Sequence, residues 1–414
     1  MPSPVQARTT CRVCHGSSLE LFLDLGDQPP ANALLTREEL AGPEPKFPLA
    51  LNSCRTCGQM QTTHVVSADM LFRNYVYFSS VSQAMATHFG AYAKDVADRF
   101  VPRDGLVVEI GSNDGILLKT LLGRPLRVLG VDPARNVAEV ARQNGVPTLA
   151  EFFNRETATA VRKEHGPASA VIANNVFAHI DDLDSVMQGL DALLSDDGVF
   201  VTESPYVVPF LEHLEFDTVY HEHVSYWGVG PLEHLFNRFG FEVFDVWDQP
   251  VHGGTIRTFA RRKAHAKTPK AASVAEHLAL EAKVGIGRAD TLKKFARDVA
   301  ALREKLTGLV QKLTADGKRV VGYTAPAKGN VLLNYCNLGP KSLAYLADAT
   351  PAKQGLFNPG MHIPIQSPEH FRADKPDYAV LLAWNHQVEI LEKEKAWRAQ
   401  GGKFIIPVPD VDVV

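Results

Sequence analysis

Short apolar runs separated by stretches of helical periodicity fill the middle of the chain. Between about residues 100 and 260, runs at 106–110, 128–132, 170–173 and 198–201 alternate with segments whose apolar positions recur every three or four residues. Runs that are apolar at every position are typical of strands covered on both faces, as in a parallel sheet. The pattern predicts a doubly wound α/β domain.

A second alternation of the same kind occupies the C-terminal part of the chain. Apolar runs at 319–323, 343–348, 378–382 and 403–407 are again separated by helical stretches. Between the two alternations, from about 268 to 316, Ala, Glu, Lys and Leu dominate with helical spacing. The pattern predicts a smaller, second Rossmann-like unit, joined to the first by a helical connector.

The N-terminal segment has a different character. From Cys11 to Cys57 it shows little helical periodicity and many turn formers, such as those at 26–30 and 42–45. We expect such a segment to bury little and to need a staple. The predicted division of the chain is a module at 1–67, an α/β domain with a helical lead-in at 68–267, a helical connector at 268–316 and a Rossmann-like domain at 317–414.

Composition and charge exclude several classes of protein. The 414 residues are 45% hydrophobic and 22% charged, and the formal net charge is -4. No global positive field exists that would attract nucleic acid or an anionic membrane. Residues 1–10 lack the features of a signal peptide, and no run of about 18 apolar residues is present that would span a bilayer. We therefore expect a cytoplasmic protein without a nucleic-acid or membrane partner.

Four of the five cysteines form two Cys-x-x-Cys pairs, Cys11 with Cys14 and Cys54 with Cys57. Each pair places two thiolates on a tight turn, so the two pairs together can close a tetrahedral cage around zinc. A closed cage leaves no position for water, which predicts a structural role. A redox-active dithiol is the alternative, but the surrounding pattern of thioredoxin-like domains is missing. The fifth, Cys336, is expected to be a buried, apolar residue.

A loop with the character of a cofactor site follows the first strand of the α/β domain. The run at 109–115, Glu-Ile-Gly-Ser-Asn-Asp-Gly, leaves a buried strand and opens a helix, and Asp132 ends the next strand, where a carboxylate can accept ribose hydroxyls. The dinucleotide fingerprint Gly-x-Gly-x-x-Gly is absent. The loop resembles the acidic-x-Gly-x-Gly-x-Gly loop of class I methyltransferases, with Asn113 in the usual place of the middle glycine. Two glycines that merely turn a strand into a helix are the alternative.

A run of proton-transfer residues follows another predicted strand. Tyr220, His221, Glu222 and His223 come after the strand near 199–203, at the carboxyl edge of the sheet. Histidine, glutamate and tyrosine move protons near neutral pH, and Glu222 can hold a neighbouring imidazole in one tautomer. The spacing does not match the His-Glu-x-x-His pattern of zinc hydrolases. A metal site and a surface cluster are the alternatives.

Two further candidates lie where other strands are predicted to end. His179 follows the run at 170–173, opposite the cofactor loop, although a lone histidine of this kind is more often structural. In the C-terminal unit, the run at 322–330 forms a strand, a loop and a helix start that can receive a diphosphate on backbone amides and on Lys328. A degenerate Rossmann half retained for architecture is the alternative.

Together these motifs resemble those of the nucleotide-linked deoxysugar C-methyltransferases of antibiotic pathways, which include an enzyme of tetronitrose formation. The resemblance rests on both Cys-x-x-Cys pairs, the loop at 109–115, Tyr-His-Glu-His at 220–223, Pro-Val-His-Gly-Gly at 250–254 and Trp-Asn-His at 384–386. It covers essentially the whole chain. It implies S-adenosylmethionine and structural zinc as cofactors, and as substrate a dTDP-linked 4-keto-deoxysugar, methylated at C-3 or, in relatives, at C-5.

The resemblance also implies residue roles. His223 is the expected general base, Glu222 orients it, and Tyr220 and His179 donate hydrogen bonds to the 4-keto oxygen. Carbon methylation needs such groups, because the proton beside the ketone must leave before the carbon becomes nucleophilic. Tyr75 or Tyr77 is a further catalytic candidate; the cofactor candidates are Glu109, Gly111, Ser112, Asn113, Gly115, Asp132 and Asn174; the substrate candidates are Lys328, Asn330, Lys353, Asn385 and His252.

Two other functions compete with this interpretation. The chain is alternatively an O- or N-methyltransferase of a sugar or small metabolite, which needs less proton-transfer equipment. It is alternatively a non-catalytic, zinc-bearing protein that binds a nucleotide sugar and positions another enzyme. The intact loop at 109–115 and Asp132 argue against this second alternative, because a scaffold needs no cofactor site.

Overall fold

The computed structural model describes residues 4–73, 83–251 and 253–414. Within these residues the strands form sheets of two, four, six and seven strands, and the two largest sheets are mostly parallel. The predicted fold class is confirmed: a small cysteine-bearing module precedes a doubly wound sheet, and a second Rossmann-like sheet follows it. No helix of the described part is long and apolar enough to cross a membrane.

The N-terminal module consists mainly of antiparallel strands. Its elements are β1 (Val5–Ala7), β2 (Leu19–Gln28), β3 (Phe47–Cys54), β4 (Met60–Thr62), β5 (His64–Val66) and helix α1 (Ala68–Phe72). The strand β3 pairs with β2 and β4, and β1 pairs with β5. The expectation that this segment buries little is wrong, since β3 is buried at every position except Pro48. The sheet gains a further strand from the next domain, and this contact covers part of the module.

The middle domain is the seven-stranded sheet with its helices. Its elements are α2 (Gln83–Phe100), β6 (Leu106–Ile110), α3 (Ile116–Lys119), β7 (Arg127–Val131), α4 (Arg135–Gln143), β8 (Thr148–Leu149), α5 (Arg155–His165), β9 (Ala168–Asn174), α6 (Leu183–Leu193), β10 (Leu194–Pro205), α7 (Val207–Glu212), β11 (Ser225–Tyr226), α8 (Val229–Arg238), β12 (Phe241–Gln249) and β13 (Thr255–Arg262). The sheet order is β12-β13-β10-β9-β6-β7-β8, and the last five strands of that order are parallel. All five residues of β6 are buried, which explains why its residues other than Glu109 are apolar without alternation.

Two helices connect the middle domain to the C-terminal unit: α9 (Ala272–Val284) and the long α10 (Ala289–Ala315). The buried residues of α10 recur every three or four positions from Leu292 to Leu313, as expected for a helix with one apolar face. The ring of Phe295 lies 6.3 Å from that of Phe22 in the N-terminal module and 4.9 Å from that of Phe210 in the middle domain. The connector is therefore packed against both earlier parts of the chain.

The C-terminal unit repeats the plan of the middle domain on a smaller scale. Its elements are β14 (Val320–Tyr323), α11 (Ala327–Tyr335), β15 (Leu346–Ala347), β16 (Ile365–Gln366), α12 (Pro368–Asp374), β17 (Tyr378–Leu381), α13 (Gln387–Lys393), α14 (Lys395–Arg398), β18 (Lys403–Ile406) and β19 (Asp412–Val413). The sheet order is β16-β15-β14-β17-β18-β19. The first strand lies between the second and the fourth in both sheets, so each has a crevice at its carboxyl edge, where the strand order reverses.

Candidate active site

The four N-terminal cysteines converge on one point. Cys11 Sγ lies 3.6 Å from Cys57 Sγ, and Cys14 Sγ lies 3.5 Å from Cys54 Sγ. All four sulfur atoms are within 4.8 Å of one another. Zinc–thiolate bonds of about 2.3 Å in a tetrahedron separate the sulfurs by about 3.8 Å. The donor set and its spacing therefore fit a zinc ion with no open coordination position.

The turn between Cys11 and Cys14 is also bonded to the middle domain through Arg12. The side chain of Arg12 is fully buried. Its Nε donates to Asp181 Oδ1 at 2.7 Å, and its two other nitrogens donate to the carbonyl and the hydroxyl of Thr62 at 3.2 Å each. Burial lowers the pKa of Arg12, and the charge of Asp181 opposes that shift. The sequence analysis missed Arg12, because nothing in the local pattern distinguishes it from an exposed arginine.

The loop after β6 is held in a conformation that suits close approach of a ligand. Gly111 and Gly115 have φ of 66° and 79°, and Asn113 between them has φ of 49°. A Cβ at position 111 would lie 2.7 Å from a side-chain carbon of Val176, so only glycine fits there. Asparagine is one of the few residues other than glycine that enter the left-handed region readily. The departure from the glycine pattern at position 113 is therefore compatible with the loop geometry.

Asp132 fixes this loop from the end of β7. Its Oδ2 accepts a hydrogen bond from the backbone N–H of Asn113 at 2.8 Å, and its Oδ1 accepts one from Ala134 at 2.9 Å. Burial raises the pKa of Asp132, and the two backbone donors oppose that shift. The carboxylate retains further lone pairs on the side of the cavity that it lines.

A cavity of about 950 Å³ opens at the carboxyl edge of the large sheet. Its size lies at the upper end of the range of about 300–1,000 Å³ that is usual for small-molecule sites. Its walls come from the N-terminal module, the middle domain and the C-terminal unit. The predicted site residues that line it are Gly111, Asn113, Asp132, Asn174, His179, Tyr220, His223, Lys328, Lys353 and Asn385.

Other predicted site residues lie behind this wall or outside the described part. Glu109 is buried and accepts a hydrogen bond from Asn174 Nδ2 at 3.5 Å, and burial raises its pKa well above the ordinary value. Asn330 donates to the carbonyl of Ala31 at 2.8 Å and so joins the C-terminal unit to the N-terminal module. Ser112, Gly115 and Glu222 also do not line the cavity. Tyr75, Tyr77 and His252 lie outside the described residues.

Tyr220 and His223 form a hydrogen-bonded dyad in the cavity wall. The carbonyl of Thr218 lies 2.9 Å from Nδ1 of His223, so that nitrogen carries the proton. Nε2 is then the acceptor, and the hydroxyl of Tyr220 donates to it at 2.7 Å. The Thr218 carbonyl thus holds the ring of His223 in one tautomer, and the orienting role of Glu222 stays a prediction. Thr218 was missed because a backbone carbonyl carries no sequence signal.

The N-terminal module holds the segment that carries this dyad. Glu222 accepts a hydrogen bond from Asn32 Nδ2 at 2.6 Å. His221 Nε2 contacts the carbonyl of Phe47 at 3.2 Å. Strand β11 pairs antiparallel with β4, which completes the sheet of the module. The two pairs of cysteines and the dyad thus belong to one connected structure.

His179 stands beside the dyad on a separate loop. Its ring centre lies 5.0 Å from that of His223. The ring also stacks on that of Phe72, with the two ring centres 5.6 Å apart. Burial lowers the pKa of His179 to about 4, so the imidazole is neutral near pH 7. Among the residues that the structure describes, none is within hydrogen-bonding distance of its ring nitrogens. A neutral imidazole of this kind offers one N–H donor to a ligand in the cavity.

The C-terminal unit supplies the opposite wall with a loop built like the cofactor loop. Asp348 Oδ2 accepts from the backbone N–H of Ala325 at 2.7 Å, and its Oδ1 accepts from Thr350 at 2.8 Å. Lys353 Nζ donates to the carbonyl of Ala325 at 2.8 Å. The Oδ1 atom of Asn385 is buried without a hydrogen-bond partner among the described residues. This wall therefore contains a cation that lines the cavity and a buried amide oxygen without a partner among the described residues.

Comparisons with protein families match consecutive parts of the chain. A model of a zinc binding domain matches residues 11–72, a methyltransferase domain matches residues 85–246, and a C-methyltransferase C-terminal domain matches residues 250–409. The first match contains all four clustered cysteines. The second contains the loop after β6 and the Tyr220–His223 dyad.

The chain is similar along its length to a curated protein. It is 42% identical over 408 residues to the C-methyltransferase NovU of Streptomyces niveus, covering 98% of this chain and 96% of that protein. Solved structures are more distant. A methyltransferase of Anabaena variabilis that depends on S-adenosylmethionine is 16% identical, with a TM-score of 0.34, over 42% of this chain and 84% of its own. The magnesium protoporphyrin IX methyltransferase of Synechocystis is 15% identical, with a TM-score of 0.32, over 44% of this chain and 79% of its own.

Proposed function

This chain belongs to the S-adenosylmethionine-dependent C-methyltransferases, and we propose that its acceptor is a carbon beside the ketone of a dTDP-linked 4-keto-deoxysugar. C-3 is the favoured position, and the setting is deoxysugar formation in antibiotic biosynthesis. The observation that carries the proposal is the dyad of Tyr220 and His223, which lines the same cavity as the cofactor loop. Methylation of a hydroxyl or an amine would need fewer proton-transfer residues than this cavity contains.

The proposal assigns proton removal to His223. Since the Thr218 carbonyl holds the proton of this ring on Nδ1, Nε2 is the basic atom. Bound sugar would take the hydrogen bond of Tyr220 onto its 4-keto oxygen, which frees Nε2 to accept the proton from the neighbouring carbon. The C–H bonding pair then forms a C=C bond, and the carbonyl π pair moves onto oxygen as an enolate. Thr218 keeps the ring in place throughout.

The proposal assigns stabilisation of the enolate oxygen to Tyr220 and His179. A neutral His179 donates through one N–H, and its stacking on Phe72 fixes the ring plane. Donors held in place in a water-poor cavity stabilise developing charge without having to reorganise. Tyr75 or Tyr77 stays a prediction as a further catalytic group. Glu222 anchors the segment of the dyad to Asn32.

The methyl donor would lie on the loop after β6, against Gly111, Asn113 and Asp132, which line the cavity. S-adenosylmethionine supplies an electrophilic methyl group on a sulfonium. The enolate carbon forms the new C–C bond, the carbonyl re-forms, and the S–CH3 bonding pair remains on sulfur. The one proton released is the proton on His223, so the reaction balances without a redox partner.

The proposal places the nucleotide of the substrate against the C-terminal unit. Lys353 lies at the loop after β15 and is about a quarter exposed, which suits a contact with diphosphate. Asn385 also lines the cavity, and the proposal assigns its side-chain amide a contact with a base or sugar hydroxyl. His252 and Asn330 stay predictions, one outside the described residues and the other behind the cavity wall.

Solvent exchange tests this proposal. The zinc-loaded full chain is incubated in D₂O with S-adenosylhomocysteine and dTDP-4-keto-6-deoxyglucose, which has a proton beside the ketone at both C-3 and C-5. Proton NMR then reports which position gains deuterium. A parallel reaction with ¹³C-methyl-labelled S-adenosylmethionine locates the methyl group by carbon NMR.

Exchange and methylation at C-3 would support the proposal in full. Exchange and methylation at C-5 would replace C-3 by C-5 and keep the enolate mechanism. A methyl group on oxygen or nitrogen without deuterium uptake would contradict the proposal. A ketosugar panel with different substituents at C-2 and C-3 then identifies the preferred acceptor.

A further inference from the structure

Lys328 places a cation in the wall of the cavity. It is the second residue of α11 and lines the cavity. Its Nζ lies 4.2 Å from the centre of the Trp384 ring, a cation–π contact. No described residue accepts a hydrogen bond from its ammonium group. The side chain of Lys328 is only partly buried, and its Nζ is not among the fully buried atoms. Its N–H groups are therefore open to the cavity, where a ligand oxygen can accept from them.

Two carboxyl groups, those of Asp217 and Glu215, lie close enough to Lys328 to interact with its charge. The indole N–H of Trp384 donates to Asp217 Oδ2 at 2.7 Å, so the same indole contacts both the lysine and a buried aspartate. Burial lowers the pKa of Lys328, and Asp217 and then Glu215 oppose that shift. Asp217 Oδ1 and Glu215 Oε1 are both buried without hydrogen-bond partners among the described residues.

This arrangement favours a carbonyl oxygen over a diphosphate as the acceptor. Asp217 compensates the charge of Lys328, so a diphosphate would gain little from the lysine and would be repelled by the carboxylate. A ketone oxygen is neutral in the ground state and becomes negative only as the enolate forms. The expected diphosphate contact is assigned to Lys353, whose Nζ donates to the loop after β14 and lies 4.0 Å from Asp348 Oδ2, at the limit of an ion pair.

Lys328 is also tied to the segment that holds the base. Asp217 bonds the indole under Lys328, and the next residue, Thr218, holds Nδ1 of His223 at 2.9 Å. Consecutive Cα atoms are about 3.8 Å apart, so the lysine and the base are anchored to neighbouring points of one short turn. Lys328 and His223 both line the cavity, and contacts to consecutive residues of one turn position them.

We propose that Lys328 is a catalytic residue that donates a hydrogen bond to the substrate ketone and stabilises the enolate oxygen, with Asp217 and Trp384 positioning its ammonium. This inference rests on the proposed enolate chemistry. When His223 removes the carbon proton, the negative charge that moves onto oxygen is met by an N–H of Lys328. The proton stays on His223, and Lys328 is unchanged at the end of the cycle.

The test separates enolisation from binding. Deuterium uptake by dTDP-4-keto-6-deoxyglucose with S-adenosylhomocysteine is measured beside kcat and KM for wild type, Lys328→Met, Lys353→Met and Lys341→Met. Lys341 is an exposed lysine of the same unit and serves as the matched control. Removal of one such donor costs about 10²–10³ in rate. We expect Lys328→Met to lower both exchange and kcat by that factor with KM changed less than about threefold, and Lys353→Met to raise KM at nearly constant kcat.

Other results overturn the inference. A Lys328→Met variant that raises KM at constant kcat would make the lysine a diphosphate ligand, and one with wild-type exchange would make it an interdomain contact only. Lys328→Gln keeps an N–H donor without the charge, so it should retain more deuterium exchange than Lys328→Met. If the Lys328→Met protein does not fold, Lys328→Gln serves as the test variant in its place. Binding of S-adenosylhomocysteine and the melting temperature report folding. Wild type without any exchange would contradict the proposed function itself, whatever the variants do.

Discussion

The hydroxyl of Tyr220 donates a hydrogen bond to Nε2 of His223 across 2.7 Å, while the other ring nitrogen is held by the Thr218 carbonyl. The tautomer of His223 is therefore fixed before any substrate arrives. The basic nitrogen points toward a phenol that also lines the cavity. We propose that the two residues act as one proton-transfer unit, and this makes their joint removal informative.

His223→Asn should lower kcat by about 10²–10⁴, because general-base catalysis by a positioned side chain contributes about that much. Tyr220→Phe should lower kcat by less. Since the two groups act together, the double variant should be scarcely slower than His223→Asn alone. Steady-state kinetics with calorimetric titration of S-adenosylhomocysteine checks this. Multiplicative losses in the double variant would show that the two residues act independently, and full turnover of a folded His223→Asn variant would remove the base assignment.

Asn113 offers a test of the cofactor loop, because its φ of 49° penalises most side chains. Asn113→Gly should bind S-adenosylhomocysteine within about fivefold of wild type, since glycine enters this region freely. Asn113→Val should weaken binding by at least about tenfold, because a β-branched residue is strained there. Isothermal titration measures both constants. Equal affinities for the two variants would mean that the loop conformation does not control cofactor binding.

Contiguous motifs made part of this site predictable from sequence. The two cysteine pairs and the run at 109–115 carry their chemistry within a few residues, so spacing alone indicates what they do. The parallel strands were also predictable, because strands buried on both faces are apolar throughout. Position 113 was the weakest point of the loop prediction, and its positive φ explains why asparagine serves there.

Contacts between distant residues were not predictable in this way. Asp217 and Trp384 are 167 positions apart, and Asn32 and Glu222 are 190 apart, so no local period connects them. The pairing of β11 with β4 is equally non-local and makes the N-terminal module part of the active-site support. Orientation by the Thr218 carbonyl was missed for another reason, since every residue has a carbonyl and only the fold selects one.

Loss of zinc should loosen the catalytic segment as well as the cysteine module. The backbone N–H of Thr62 donates to the carbonyl of Val224 at 3.1 Å, beside the β4–β11 pairing. Since a structural zinc site contributes folding free energy directly, Cys54→Ser should lower zinc content, melting temperature and turnover together. Amide hydrogen exchange over residues 216–226 should become faster than in wild type.

Cys336→Ala is the matched control for the zinc prediction. Cys336 is buried in the C-terminal unit, and burial raises the pKa of its thiol to about 12, so it is inert. This variant should retain one zinc per chain and wild-type protection at 216–226. A Cys54→Ser protein that lacks zinc but keeps full protection of that segment would separate the module from the catalytic dyad.

Glu215 should make the folded protein less stable as pH rises, and replacing it by the neutral glutamine should remove this dependence. Burial, and then the charge of Asp217, raise the pKa of Glu215 to about 8, while Lys328 opposes the shift. His213 Nδ1 lies 3.6 Å from the same carboxyl group. In the unfolded chain the pKa is about 4.5, so the folded state binds the proton more tightly. The contribution of this group to stability is complete below pH 4.5 and is lost as pH rises through about 8.

Glu215→Gln cannot ionise, so it should gain stability relative to wild type as pH rises from 5 to 8. The difference in the free energy of unfolding should grow by on the order of a few kcal/mol over that interval. Urea unfolding at several pH values measures it, with Glu212→Gln as the control, because Glu212 is exposed on the preceding helix. The control should run parallel to wild type. A parallel curve for Glu215→Gln as well would mean that Glu215 is ionised in the folded protein at neutral pH, and that Asp217 is not the sole countercharge of Lys328.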